Sequence, residues 1–162
     1  MFQIPETLTD LPRIGLSCDL AEGFDRVEWF GRGPEENYID RREGYPLGRY
    51  RSTVDGMREE YVMPQACGNR CDVREVTLSG RPHLPERFAV VFENPGEFSV
   101  SRFSDSEIWR ARHLCDLRPD DVVHLYLDAR QRGVGTNSCG SELDERYRTT
   151  AGSYRLNLIL NF

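Results

Sequence analysis

The sequence predicts an all-β protein, an antiparallel β-sandwich or barrel-like sheet pair with one short helix. Three observations carry this prediction. Several short runs alternate apolar and polar residues with a period of two, clusters of Gly, Pro and Asn punctuate them, and a convincing helix start occurs at Ser104-Asp105-Ser106-Glu107. At 162 residues the chain suits one domain, large enough for a sandwich core without covalent staples.

Taken in order, Ile14, Leu16, Cys18 and Leu20 alternate with Arg13, Gly15, Ser17 and Asp19, which marks a half-buried strand. Residues 27–31 repeat the signal around Trp29, and Ala21-Glu22-Gly23 between the two runs is expected to close a short hairpin. Glycines on both sides of Arg32, followed by Pro34, predict a tight reversal in a backbone conformation most side chains would not permit. Residues 42–60, broken by Gly44, Pro46, Gly48 and Gly56, predict a long loop or a sheet edge.

Tyr61-Val62-Met63-Pro64-Gln65 predicts a short strand stopped by Pro64, and residues 71–78 a longer one. Residues 87–93 and 98–102 predict two further strands separated by a turn at Asn94-Pro95-Gly96. Ser104 and Glu107 have the spacing of a capping box that opens a helix running to about His113. Val123, Leu125, Leu127 and Ala129 alternate with polar neighbours, as do Tyr154, Leu156, Leu158, Leu160 and Phe162, so the chain is expected to close on a strand. Trp29 and Trp109, embedded in these patterns, are expected in the core rather than as exposed platforms.

The net charge of -6 and the scattering of basic residues along the chain argue against nucleic acid and for a neutral or small partner. All 21 basic residues are arginine, which reads as compositional bias. No apolar run approaches the ~20 residues that cross a bilayer, and the first residues show neither a basic start nor an apolar core of a signal, so the expected location is cytoplasmic, away from membranes. The five cysteines form an odd set without disulfide spacing. Cys67 and Cys71 suggest half of a zinc site, but no second half follows, so no metal is assigned.

Two stretches hold the candidate functional residues. Glu36, Asn37, Tyr38, Asp40 and Arg41 can accept, donate, stack and pair charge within six residues, either as the buried anchor of a loop or as contacts to a ligand. Residues 130–141 contain Gly133, Gly135 and Gly140 among small polar residues, a loop whose backbone can approach another molecule closely. Its spacing fits neither the phosphate-loop nor the dinucleotide pattern. His83, His113 and His124 lie in no compelling catalytic motif.

Together these stretches carry a family resemblance. The runs Pro12-Arg13-Ile14-Gly15-Leu16, Trp29 through Arg41, Tyr61-Val62-Met63-Pro64-Gln65, Gly68 through Arg74, Gly133-Val134-Gly135 and Ala151-Gly152-Ser153-Tyr154 resemble, in that order, the C-terminal small-chain domain of the large bacterial β-galactosidases of glycoside hydrolase family two. The resemblance extends from about Leu11 to Phe162, leaving residues 1–10 as an N-terminal extension. It implies a sandwich of the galactose-mutarotase-like (supersandwich) type, packed in those enzymes against a catalytic barrel that supplies both glutamates of a retaining glycosidase.

On this reading the chain is a non-catalytic domain or small subunit that completes the aglycone side of a galactoside site. Its partners are the barrel domains or a large subunit, and the isolated chain is expected to be inactive. Magnesium and sodium are implied for the parent enzyme, with no metal ligand assigned here. In the family, the loop corresponding to Gly133–Gly140 carries a tryptophan that stacks on the sugar; Cys139 falls at that place, flanked by Asn137 and Ser138, and a thiol offers no such face. The loop holds no histidine to activate Cys139 as a nucleophile. A free-standing carbohydrate-binding or aldose-1-epimerase-like sandwich is the alternative. An excised sandwich exposes apolar surface and strand edges, which leaves homo-oligomerisation open.

Overall fold

The computed structural model describes residues 1–80, 87–135 and 142–162. It is an antiparallel β-sandwich built from β1 (Phe2–Ile4), β2 (Arg13–Ala21), β3 (Phe24–Arg32), β4 (Leu47–Thr53), β5 (Arg70–Gly80), β6 (Arg87–Ser101), β7 (Val122–Gln131), β8 (Gly152–Tyr154) and β9 (Leu158–Asn161). The helix α1 (Asp105–Arg110) lies between β6 and β7.

The main sheet runs β2-β7-β6-β5-β3-β4, with β9 also paired to β6, while β1 and β8 form a separate two-stranded ribbon. In that order β2 and β3 stand four strand spacings apart, about 19 Å if the sheet were flat. Yet only Glu22 and Gly23 join them, a link that reaches about 11 Å at most. The sheet therefore folds over on itself. The expected hairpin at residues 21–23 is an arch between the two layers instead, because β2 pairs with β7 and β3 with β4 and β5.

Strand β6 makes the fold-over. Its first part pairs with β5 and β9, and its last part, Glu97–Ser101, with β7 while still meeting β5 at Phe98. Asn94-Pro95-Gly96 was expected to be a turn, but it lies inside this single 15-residue strand. The β5–β6 register shifts twice between Arg70 and Glu75, so the segment bends the strand from one layer into the other without ending it. Between the layers, Val27 and Trp29 of β3, Val76 and Leu78 of β5, and Phe88 and Val90 of β6 meet Phe98, Val123, Leu125 and Leu127.

Gly31 and Gly33 are not where the backbone takes an unusual φ; they serve close packing instead. Gly31 lies inside β3, and a Cβ there would sit 2.8 Å from Val73 Cγ2; one on Gly33 would sit 2.9 Å from the Tyr50 ring. The chain leaves β3 through a cis Gly33–Pro34 peptide. Residues 42–60 supply the edge strand β4, as the sheet-edge alternative anticipated, whereas residues 61–65 form no strand. The closing run is two strands, β8 on β1 and β9 on β6.

Helix α1 is shorter than expected. Ser104 Oγ accepts the Glu107 N–H at 3.4 Å, but the Glu107 carboxylate accepts the N–H of Arg118 at 3.0 Å rather than reaching back to Ser104, so the capping box is half formed. The N–H of Ser104 goes to Asp120 Oδ2 instead, at 3.2 Å.

Candidate functional site

The segment after Pro34 is fastened to the start of β5. Asn37 donates its N–H to Asn69 O at 2.9 Å, and its side-chain oxygen accepts the N–H of Cys71 at 2.8 Å. Asn69 Nδ2 returns a bond to Asn37 O at 3.0 Å and a second to Glu97 at 2.7 Å. Asn37 and Asn69 are both fully buried, and apart from the Asn69–Glu97 bond these contacts fix backbone.

Glu36, 3% exposed, is the hub of the neighbouring cluster. Its carboxylate accepts the Gly68 N–H at 2.8 Å and the Tyr38 hydroxyl at 3.2 Å, together with the Arg41 guanidinium and the Tyr61 hydroxyl. Burial, and then the adjacent Glu36 charge, push the Tyr38 hydroxyl well above its ordinary pKa, so it remains a donor at any physiological pH. The guanidinium of Arg41 lies 5.2 Å from the centre of the Tyr38 ring and remains partly exposed.

Asp40 connects the two candidate stretches. It accepts the N–H of Val134 at 3.2 Å and that of Gly135 at 2.8 Å, while a Cβ on Gly133 would lie 2.8 Å from its carboxyl carbon. Gly135 sits at φ +87°, a left-handed conformation suited to glycine. Just before it, the Arg132 N–H meets Pro12 O and the Gly133 N–H meets Tyr147 O, both at 3.0 Å. The root of the glycine-rich loop is thus held from three sides. Asn137, Ser138 and Cys139 lie outside the described residues.

These elements enclose an open cleft of about 670 Å³ lined by Glu36, Arg41, Tyr61, Gln65, Gln131 and the backbone of residues 133–135. Glu36 is the one acidic residue among the described residues that line it. Its four bonds within the protein and the lack of a second carboxylate beside it do not provide the pair, about 5 Å apart, that retaining glycoside hydrolysis needs. The chemistry the cleft can offer is hydrogen bonding from Arg41, Gln65 and Gln131 and close approach along a glycine backbone. Among the described residues, no group of three or more His, Cys, Asp or Glu could hold a metal ion.

A second cleft of about 600 Å³ adjoins the first, sharing Pro12, Gln65, Ala66 and Gln131 with it. Trp109, expected in the core, is 90% exposed along this cleft, while Trp29 is buried and donates its indole N–H to Arg32 O at 3.0 Å. The exposure follows from the shortness of α1, whose six residues include none that is buried; Ile108 is half-buried, the chain goes inward only at Ala111 just past the helix, and Trp109 has no facing element among the described residues. His124 lies elsewhere, on β7, with Nδ1 2.7 Å from Asp19 and Nε2 2.8 Å from Asp120.

Sequence reasoning missed Tyr61, Gly68 and Trp109. Gly68, at φ +79° and immediately before Asn69, carries a readable signal of a strained turn; Tyr61 is hidden by the apolar run Val62-Met63 that follows it.

A family model described as "Beta galactosidase small chain" matches residues 2–160. The chain is 36% identical over 154 residues to a β-galactosidase of Vibrio cholerae, covering 94% of this chain and 14% of that protein. It is 34% identical over 163 residues to one from Aeromonas hydrophila, covering 98% of this chain and 15% of that protein. With the β-galactosidase of Streptococcus thermophilus it shares 34% identity over 155 residues, 94% of this chain and 15% of the relative. The chain therefore spans about one seventh of the length of these relatives. Within that span the match includes β1, which pairs with β8 and builds the first residues into the fold.

Proposed function

The chain belongs to the beta galactosidase small chain family, and from that premise we propose that it completes the aglycone side of a galactoside-cleaving site whose catalytic carboxylates lie in another domain or chain. The observation that carries this reading is the Asp40 clasp on Val134 and Gly135. It fixes the root of the glycine-rich loop beside a donor-rich cleft that holds no acid pair among the described residues.

In this reading Glu36 acts as a structural hub. It orders Tyr61 and Arg41 along one wall, while Asp40 fixes the opposite rim at Val134 and Gly135. Asn137, Ser138 and Cys139 are the proposed loop contacts, with Cys139 giving a roomier aglycone side than an indole at that place. The partner is the remaining polypeptide of a β-galactosidase, and bond cleavage belongs to that partner. No step here passes through the magnesium or sodium implied for the parent enzyme, and no residue of this chain is assigned to either ion.

An aldose-1-epimerase-like activity would place a histidine and a carboxylate together in the pocket. His124 has both carboxylate neighbours but lines neither cleft, which favours the subunit reading. The test is complementation: a relative's β-galactosidase lacking the matched segment is assayed with a chromogenic galactoside, with and without this chain. Recovery of turnover on mixing supports the proposal; no recovery despite a stable complex refutes it.

A further inference from the structure

Away from both clefts, three elements meet at one histidine. His124 of β7 is buried, and Asp19 of β2, the strand at one end of the main sheet's order, stands directly opposite it in the ladder. The ring's Nδ1 lies 2.7 Å from Asp19 Oδ1, and its Nε2 lies 2.8 Å from Asp120 Oδ2 in the segment just before β7. That same Asp120 oxygen accepts the N–H of Ser104, the residue that opens α1, at 3.2 Å, while the Asp120 N–H donates to Arg102 O at 2.7 Å. The ring thus joins the edge of the sheet to the foot of the helix.

An ionised carboxylate only accepts, and a neutral imidazole carries a single N–H. Both contacts are hydrogen bonds when the ring is an imidazolium. Once the ring is neutral, a lone pair faces one carboxylate oxygen at 2.7 or 2.8 Å, and that contact opens. The two carboxylates are not equally free to leave. Asp120 is held by its own backbone and by the Ser104 N–H, whereas the Asp19 side chain is 61% exposed, so water replaces the ring there at little cost. The remaining proton therefore stays on Nε2, and Asp19 is the arm released.

Among the described residues, His124 is the one ion-pair partner of Asp19 and of Asp120. Ser101 stands opposite the ring on β6 and carries no charge, and the guanidinium of the adjacent Arg102 is taken up by Asp25 and Asp55. Two residues along β7, Tyr126 meets Arg13 of β2 and Asp105 of α1. Burial works against the charged ring, but the bonds to Asp120 and Asp19 outweigh it and raise the His124 pKa, so the charge persists through the ordinary histidine range and is lost above it.

We propose that His124 is a pH-operated clasp: as an imidazolium it ties β2, through Asp19, to Asp120 and the start of α1, and as a neutral ring it keeps Asp120 and releases β2 beside the arch at Glu22 and Gly23. The clasp is independent of the function proposed above.

The test is amide hydrogen exchange of the full chain, followed by NMR from about pH 5.5 to about pH 8.5, which brackets the histidine range. Rates are expressed as protection factors, which removes the intrinsic pH dependence of exchange, with core amides of β5 and β6 as the reference for global stability. The slowly exchanging amides of residues 18–21 are expected to lose protection about two- to fivefold against that reference as pH rises, the size of a partly exposed ion pair, while Ser104 keeps its protection. Asp19→Asn, a conservative change at an exposed side chain, is expected to abolish the step and to move the NMR titration of the His124 ring to lower pH. His124→Gln also abolishes the step.

No step at residues 18–21, a step at Ser104 in its place, or a His124 midpoint unmoved by Asp19→Asn overturns the clasp. So does a step that survives His124→Gln, which assigns it to Asp128 and its partner Arg13 at the other end of β2.

Discussion

The carboxylate of Asp40 accepts the backbone N–H of Gly135 at 2.8 Å across 95 residues of sequence, joining the segment that leaves β3 to the glycine-rich loop after β7. Hydrogen bonds to a charged acceptor contribute about 1.5–3 kcal/mol, enough to set whether that loop is held. Asp40→Ala is therefore expected to speed hydrogen exchange at Val134 and Gly135 by roughly tenfold or more, with strand amides of β5 and β6 unchanged. Unchanged exchange at both amides would show that the Arg132–Pro12 and Gly133–Tyr147 contacts hold the loop alone.

Glu36 accepts from Gly68, Tyr38, Arg41 and Tyr61, so its removal orphans several donors at once. Glu36→Ala is expected to lower stability by about 3–5 kcal/mol in urea denaturation, because Arg41 and the buried Gly68 and Tyr38 donors lose their partner. Glu36→Gln keeps one carbonyl oxygen and is expected to cost about half as much. A loss below ~1 kcal/mol for the alanine variant contradicts the hub role.

Gly31 packs against β5, and a methyl group there meets Val73 Cγ2 at 2.8 Å and Val73 Cα at 3.0 Å. The backbone atom cannot yield as a flexible side-chain tip would. Gly31→Ala is expected to destabilise the chain by about 1–3 kcal/mol, and the double variant Gly31→Ala with Val73→Ala to recover only part of it, since Val73 Cα stays in place. Full recovery in the double variant locates the clash on the Val73 side chain alone.

Stability is expected to fall as pH rises from about 4 to about 7. Burial, with the like charge of Glu97 adding to it, pushes the Asp128 carboxyl up to about 6 in spite of its ion pair with Arg13 at 2.9 Å. The fold therefore binds a proton there that the unfolded chain has already released, and its contribution, up to roughly 3 kcal/mol, is lost as pH passes through 6. At His124 burial alone lowers the pKa, but hydrogen bonds to Asp120 and Asp19 outweigh it, so this contribution too is present below the ordinary histidine value and fades above it. Denaturation midpoints measured across this range check the direction; a rise in stability through pH 6 contradicts it.

Where the sequence is legible, one local period decides the outcome. Alternation of Val123, Leu125 and Leu127, and of Val76 and Leu78, marks residues that do face the core. Misreadings arise where partners distant in sequence decide. Glu22-Gly23 has the length of a hairpin turn, but β7 captures β2 and β5 captures β3, so the same two residues serve as an arch. Asn94-Pro95-Gly96 carries turn chemistry, yet pairing with β5 before it and β7 after it pulls the segment into one bent strand.

The candidate site shows the same division. The cluster from Glu36 to Arg41 and the loop at Gly133–Gly135 are visible as dense polar and glycine-rich text. Their junction through Asp40 is not, since nothing local distinguishes Asp40 from any other loop aspartate. Trp109 departs from its expected place because a helix-like pattern implies a facing layer, and among the described residues α1 has none over that residue.

The proposed role of this chain is to supply structure and a sugar-facing rim to a reaction centre held elsewhere. The most direct measurement is the initial rate of chromogenic galactoside hydrolysis as purified chain is titrated into a relative's β-galactosidase lacking the matched segment. No turnover is expected from the chain alone, and the rate is expected to rise and saturate with added chain. Turnover proportional to chain concentration with no partner present would contradict it.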